Sequence, residues 1–215
     1  MRPRSFTDRE LLDCARSCFL EHGPGVSTAH IAEELGVSQA ALFKRFKTKK
    51  ELLVAAMIPN DPPEWVGRVM LGPDERPVRV QLHELARAID GFFSTMIPCL
   101  AVLRAGGVMP EHVAKWKDTP PPVVAHRAIS GWFSTLTAAG RLRVDDPDST
   151  ALSFIAGLQA PHMLRHMLGN KAPPASSNYL ENFVQLIWCG IAPSDPERAR
   201  TEAGPDLERV PDDAH

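Results

Sequence analysis

Apolar residues recur along this chain at helical spacing, and no convincing alternating run breaks the pattern. Thr7-Asp8-Arg9-Glu10 forms a capping box, in which the hydroxyl takes an orphan backbone N–H and the carboxylate reaches back. It predicts a first helix with Leu11, Leu12, Ala15, Cys18 and Phe19 on its apolar face, stopped by Gly23-Pro24-Gly25. A second helix is predicted over Thr28 to Leu35, with Ile31, Ala32 and Leu35 on one side and Gly36 where positive φ is needed. Ser38 can cap a short third helix, Gln39 to Arg45. Thr48-Lys49-Lys50-Glu51 is a second capping box and opens a fourth helix to about Met57. Pro59, Pro62 and Pro63 then interrupt the chain, which places a domain boundary near residue 58.

Beyond that boundary the pattern predicts longer helices between Pro and Gly. Pro77 at a first helical position precedes Val78 to Met96. Pro98 restarts a short piece through Arg104, which Gly106-Gly107 stops, and a short segment follows around Glu111 to Lys117. Pro120-Pro121-Pro122 leads into Val123 to Ala139, and Asp146-Pro147 opens a helix reaching Leu168. Ser177 or Asn178 opens a last helix through Cys189. Residues 193–215, polar and rich in Pro, Asp, Glu and Arg, read as a disordered tail. The fold class is therefore all-α, with a small helical domain over 1–58, a larger one over 59–192 and a tail over 193–215.

Charge sharpens this picture. The formal net charge of the 215 residues is only -2, but residues 1–58 hold nine Lys/Arg against seven Asp/Glu. Of the totals of 24 and 26, that leaves fifteen against nineteen for the rest. A basic head on an acidic body suits a protein that meets phosphate at one end. An uninterrupted apolar run of membrane-spanning length is absent, and no signal-peptide core follows Met1, so the expectation is a cytoplasmic protein without a membrane partner. Cys14, Cys18, Cys99 and Cys189 show no paired spacing, which fits a reducing compartment.

The segment from Thr28 to Phe46 carries the chemistry. Two short helices joined by a tight Gly-containing turn pack steeply when their contact is small, and Ala32 supplies the small residue. Val37 and Leu42 fill the wedge, while Ile31, Leu35 and Phe46 tie the pair to the first helix. The third helix then stands clear, presenting Gln39, Ala40, Lys44 and Arg45 to a major groove about 12 Å wide. Gln can pair with adenine, Lys and Arg with guanine, and Ala40 allows close approach. Lys44, Arg45, Lys47, Lys49 and Lys50 cluster within seven positions as phosphate contacts that set register but not sequence.

Residues 6–56 resemble the N-terminal domain of the TetR family of transcriptional regulators. The resemblance lies in Thr28, Ile31-Ala32, Gly36-Val37-Ser38, Leu42-Phe43-x-x-Phe46 and Lys49-x-Glu51-Leu52-Leu53. It implies phosphate contacts from Thr28 and Lys49, with Ser38, Gln39, Ala40, Phe43, Lys44, Arg45 and Lys47 completing the DNA surface. Phe43 departs from the family's usual Tyr and lacks its phosphate-binding hydroxyl; Arg45 is the candidate to replace that contact.

The resemblance also implies about nine helices, a three-helix DNA-reading head and a larger effector-binding and dimerisation domain. The dimer would form through residues about 148–168 and 177–190, burying Leu152, Ile155, Ala156, Leu158, Gln159, Met163, Leu180, Phe183, Val184, Ile187 and Trp188. A lipophilic or aromatic small-molecule effector would meet Phe92, Phe93, Met96, Cys99, Leu103, Trp116, Trp132, Phe133 and Met163. The implied function is a ligand-responsive repressor that binds a palindromic operator on double-stranded DNA as a homodimer. The alternative is a constitutive DNA-binding or interaction protein without an effector. An enzyme is disfavoured, since no nucleophile–base pair, phosphate loop or metal cluster stands out, and no cofactor is expected. His162 with His166, and Cys14 with Cys18 and His22, share helical faces as metal ligands can, but read as ordinary surface and core residues.

Overall fold

The structure is a computed structural model that describes residues 6–59, 61–109, 113 and 119–204. Among the described residues there are ten α-helices and no strand. They are α1 (Asp8–His22), α2 (Thr28–Leu35), α3 (Gln39–Arg45), α4 (Lys49–Met57), α5 (Glu64–Met70), α6 (Val78–Ala105), α7 (Pro121–Ala138), α8 (Pro147–Leu168), α9 (Tyr179–Ile191) and α10 (Pro196–Ala203). The chain divides into one unit of residues 1–63 and 92–123 and another of 64–91 and 124–215.

The first unit is built from local signals. Thr7 and Glu10 complete the capping box of α1, with Glu10 N–H donating to the Thr7 hydroxyl at 3.2 Å and the Thr7 N–H to the Glu10 carboxylate at 2.7 Å. Ser27, one residue before the predicted start, caps α2 by accepting from His30 N–H. Gly36 closes α2 in the left-handed region at φ 71, ψ 33, a conformation that costs most residues about 1–2 kcal/mol. Thr48 caps α4 as predicted, but the Glu51 carboxylate accepts from Lys47 N–H at 2.9 Å instead of closing a box on Thr48. Leu11, Phe19, Ile31, Leu42, Leu52 and Met57 make a fully buried core where α1 packs on α2 and α4, and α2 on α3.

That core also contains Met96, Cys99 and Leu103 from the second half of α6. A Cβ at Gly106 would lie 2.7 Å from Leu53 Cδ2 and 3.2 Å from Pro24 Cβ, so the turn after α6 approaches α4 as only glycine allows. The sequence pattern predicts two helices where α6 runs unbroken through Pro98. Proline removes one helix hydrogen bond, yet Met96, Ile97, Cys99 and Leu103 are buried on both sides of it, so packing carries the helix through. Among the described residues α6 is also the one helix long and apolar enough to cross a membrane by length and composition, although polar residues interrupt its apolar run. The segment around Glu111 to Lys117 lies outside the described residues except for Val113.

The second unit has its own core, with Val78, Leu82, Ile89, Ile129, Leu136 and Phe154 buried. A train of rings runs from Trp132 to Phe133, Phe154, Phe183 and Tyr179, with centroids 5.4 to 6.2 Å apart. Gly157 lets α9 close on α8: a Cβ there would meet the Phe183 ring at 2.3 Å, and the Tyr179 hydroxyl donates to the Gly157 carbonyl at 2.8 Å. Part of the expected disordered tail is ordered. Asp195 caps α10 with Pro196 in its first turn, and Glu202 is buried where it accepts from Arg141 at 2.6 and 2.8 Å and from Val78 N–H at 3.0 Å. Burial alone would raise the Glu202 pKa, but these hydrogen bonds outweigh it and hold the carboxyl below its ordinary range. Residues 205–215 lie outside the described residues.

Candidate nucleic-acid interface

The third helix owes its exposure to its length and its neighbours. Of its seven residues only Leu42 is buried, and the Ser38 hydroxyl caps it by accepting from Ala41 N–H at 3.2 Å. Gln39, Ala40, Phe43 and Lys44 are exposed, as the groove-facing reading requires. No acidic residue interrupts α3. Lys44, Lys47 and Lys49 make no ion pair among the described residues, and Lys50 reaches the Gly107 carbonyl at 3.5 Å.

Two expected DNA residues have duties inside the protein. Arg45 pairs with Asp8, donates to the Phe6 carbonyl at 3.0 Å and lies 4.3 Å from the centroid of the Phe6 ring. It fastens the end of α3 to the start of α1, so it is not the uncommitted cation expected to replace the missing tyrosine hydroxyl. Phe43 offers no such hydroxyl either. Thr28 is buried, 8% exposed, and its hydroxyl accepts from the Gln39 amide at 2.7 Å. The first residue of α2 thus orients the first residue of α3. Gln39 keeps its carbonyl and one N–H for a base edge. Sequence pattern gives no sign of this coupling, because the two residues are eleven apart and neither looks unusual alone.

The expected effector residues scatter. Met96, Cys99 and Leu103 belong to the core of the first unit, and the Arg16 guanidinium donates to Cys99 Sγ at 3.1 Å. Phe92 and Phe93 are half-buried and meet edge to face at 5.4 Å. Phe133 is fully buried, Met163 is half-buried, and Trp116 lies outside the described residues. Of the eight that are described, Trp132 alone lines the cleft found in the second unit, about 390 Å³ in volume and bounded by α5, the turn after it, the first half of α6 and α7. Trp65 lines the same cleft from α5.

His162 meets Asp90 at 2.7 Å, while His166 is exposed. No group of three metal-ligating side chains occurs among the described residues. Burial, reinforced by Cys18, pushes the Cys14 thiol up to about 11, and burial raises Cys18 as well, so both stay protonated near neutral pH.

Two short packed helices joined by a tight glycine turn, the second exposed and basic at its end, define a helix-turn-helix DNA-binding protein. Residues 11–56 match the profile of the bacterial regulatory proteins of the tetR family, and residues 101–187 match the AefR-like transcriptional repressor C-terminal domain. The chain is 25% identical over 195 residues to the HTH-type transcriptional repressor AcnR of Corynebacterium efficiens, covering 87% of this chain and 93% of that protein. In fold it is similar to a TetR family regulator from Pseudomonas syringae, with TM-score 0.55, 20% identity, and 87% of this chain and 99% of that one covered. It is also similar to NalD of Pseudomonas aeruginosa, the secondary repressor of a multidrug efflux pump, with TM-score 0.60, 17% identity, and 87% and 96% covered. The chain belongs to the TetR family of DNA-binding transcriptional regulators, which are not enzymes.

Proposed function

We propose that the protein is a cytoplasmic homodimeric repressor that places α3 of each protomer in successive major grooves of a palindromic operator and lets go when a small molecule binds. The observation that carries this reading is the exposed α3, with Gln39, Ala40 and Lys44 outward beside lysines that make no ion pair among the described residues. Repression is supported by the names of its relatives. Ser38, Gln39, Ala40, Phe43, Lys44, Lys47 and Lys49 form the DNA surface, with Thr28 and Arg45 as its internal braces.

Dimerisation is supported by a stripe at four-residue spacing on α8. Leu152, Ala156, Ala160, Leu164 and Leu168 are all exposed, Leu152 by 61%, and Leu186 on α9 is 70% exposed. Exposed apolar surface of this extent marks an interface, and a two-fold pairing of α8 and α9 would cover it. Leu158, Val184 and Trp188, expected in that seam, are already buried within their own protomer.

Selection of bound DNA from a random duplex pool tests the proposal. Two inverted half-sites centred about one helical turn apart, roughly 34–36 Å, are expected. A single undivided site, or no enrichment, contradicts it. The reading without an effector draws support from Met96, Cys99, Leu103 and Phe133, which fill cores where a pocket was expected. Operator occupancy that no ligand of the second-unit cleft alters would favour that reading.

A further inference from the structure

We infer that the cleft in the second unit binds a flat aromatic anion, with Arg68 as the group that receives its charge. This rests on the ligand-responsive reading above and names the chemistry of its effector. The volume of about 390 Å³ falls in the lower part of the range for small-molecule sites, roughly 300–1,000 Å³. Trp65 and Trp132, only 6% and 5% exposed, line it together with Val69 and Leu85. Two indoles in one small cleft favour a planar aromatic guest. Leu71 lines the same cleft yet is 89% exposed, a large apolar side chain that the fold itself does not use.

The sign of the guest's charge follows from what the rim has left to offer. Asp74 and Glu84 are both held by Arg76, whose guanidinium reaches Asp74 at 2.8 and 3.0 Å and Glu84 at 2.7 and 3.1 Å. The Gln81 amide is spent on the turn: it accepts from Asp74 N–H and donates to the Asp74 and Arg76 carbonyls. Arg68 stands three residues after Trp65, on the same side of α5, and makes no hydrogen bond or ion pair among the described residues. The rim therefore carries two carboxylates whose oxygens are taken up by one shared guanidinium, Arg76, and a second guanidinium, Arg68, with no partner of its own among the described residues. A guanidinium's planar fork matches a carboxylate. A cationic guest would face Arg68 and find both carboxylates occupied.

Calorimetric titration of the full chain with a matched series tests this: 1-naphthoate, 1-naphthylmethanol and 1-naphthylmethylammonium, against wild type, Arg68→Gln and Arg68→Lys. Naphthoate should bind wild type most tightly. Arg68→Gln, on an exposed side chain and checked for unchanged helicity, should weaken naphthoate about tenfold or more while moving the alcohol less than about twofold; Arg68→Lys should recover part of the loss. Tighter binding of the ammonium compound, naphthoate binding indifferent to Arg68→Gln, or no binding of any of the three overturns the inference. The same titrations with operator DNA separate it from the reading beneath it. Naphthoate binding that depends on Arg68 but leaves DNA bound upholds the cleft and overturns ligand response. DNA release by naphthoate that persists unchanged in Arg68→Gln upholds ligand response and overturns the cleft.

Discussion

Gly157→Ala should destabilise the protein, against the usual effect of removing a glycine from a helix. In mid-helix, alanine is worth about 1 kcal/mol over glycine. Here the new methyl would sit 2.3 Å from Phe183 Cε2 and 2.5 Å from Cζ, distances at which something must move. The ring cannot swing aside cheaply, since Phe154 stacks on it at 5.7 Å and Tyr179 lies parallel at 6.2 Å. Overpacking of this kind costs about 1–3 kcal/mol, and breaking either ring pairing would cost about 0.5–1.5 kcal/mol more. The net expectation is a destabilisation of about 1–2 kcal/mol, read as a lower urea midpoint at fixed protein concentration. In a Phe183→Leu background the clash is relieved, and Gly157→Ala should be neutral or stabilising. A stabilised single variant, or equal effects in both backgrounds, would refute the close-approach reasoning. The consequence reaches function, because α8 and α9 carry the exposed apolar stripe that a second protomer would cover.

Lys49→Ala should weaken DNA binding on all sequences alike and reduce the slope of log affinity against log salt by about 0.9, one phosphate's worth. Arg45→Ala should instead leave that slope unchanged and lower head stability by up to about 1 kcal/mol, because its partner Asp8 is solvent-exposed; a slope reduced as by Lys49→Ala would return Arg45 to the phosphate contacts. Thr28→Val should broaden base preference at the position read by Gln39 while Thr28→Ser preserves it, as measured by binding to single-substitution operator variants; identical profiles for both would remove Thr28 as the positioning group. Glu202→Gln should cost about 2–3 kcal/mol at pH 7. Since the folded pKa of Glu202 is depressed, its contribution is complete above the unfolded value of about 4.3 and fades as pH falls through the folded one. The gap between wild type and variant in denaturation should therefore narrow below about pH 4.3, and a constant gap would contradict it.

The DNA-reading head is legible in sequence because its signals are local. Thr7 and Glu10, Ser38, Gly36 and Thr48 act within four residues of where they stand, and the chain follows them. What sequence pattern misreads is long-range. Arg45 looks outward in helical register, but its partners Phe6 and Asp8 come from 39 and 37 residues away. Met96, Cys99 and Leu103 have the composition of a ligand wall and serve as core, a choice that periodicity cannot make. Pro98 punctuates without breaking, since burial on both sides offsets one missing hydrogen bond. The helix α10 is hidden by its polar composition, although Asp195-Pro196 repeats the cap seen at Asp146-Pro147, and the deciding contact is Glu202 with Arg141, 61 residues away. The cleft rests on Asp74, Arg76 and Glu84, whose pairing across a turn leaves no trace in hydrophobic pattern.

The central claim, that α3 reads the major groove, is tested most directly by dimethyl sulfate protection on a selected operator. Guanine N7 faces the major groove and adenine N3 the minor. The account predicts N7 protection at the centre of each half-site, lost locally in Lys44→Ala. Protection confined to adenine N3, or an N7 pattern untouched by that substitution, would contradict it.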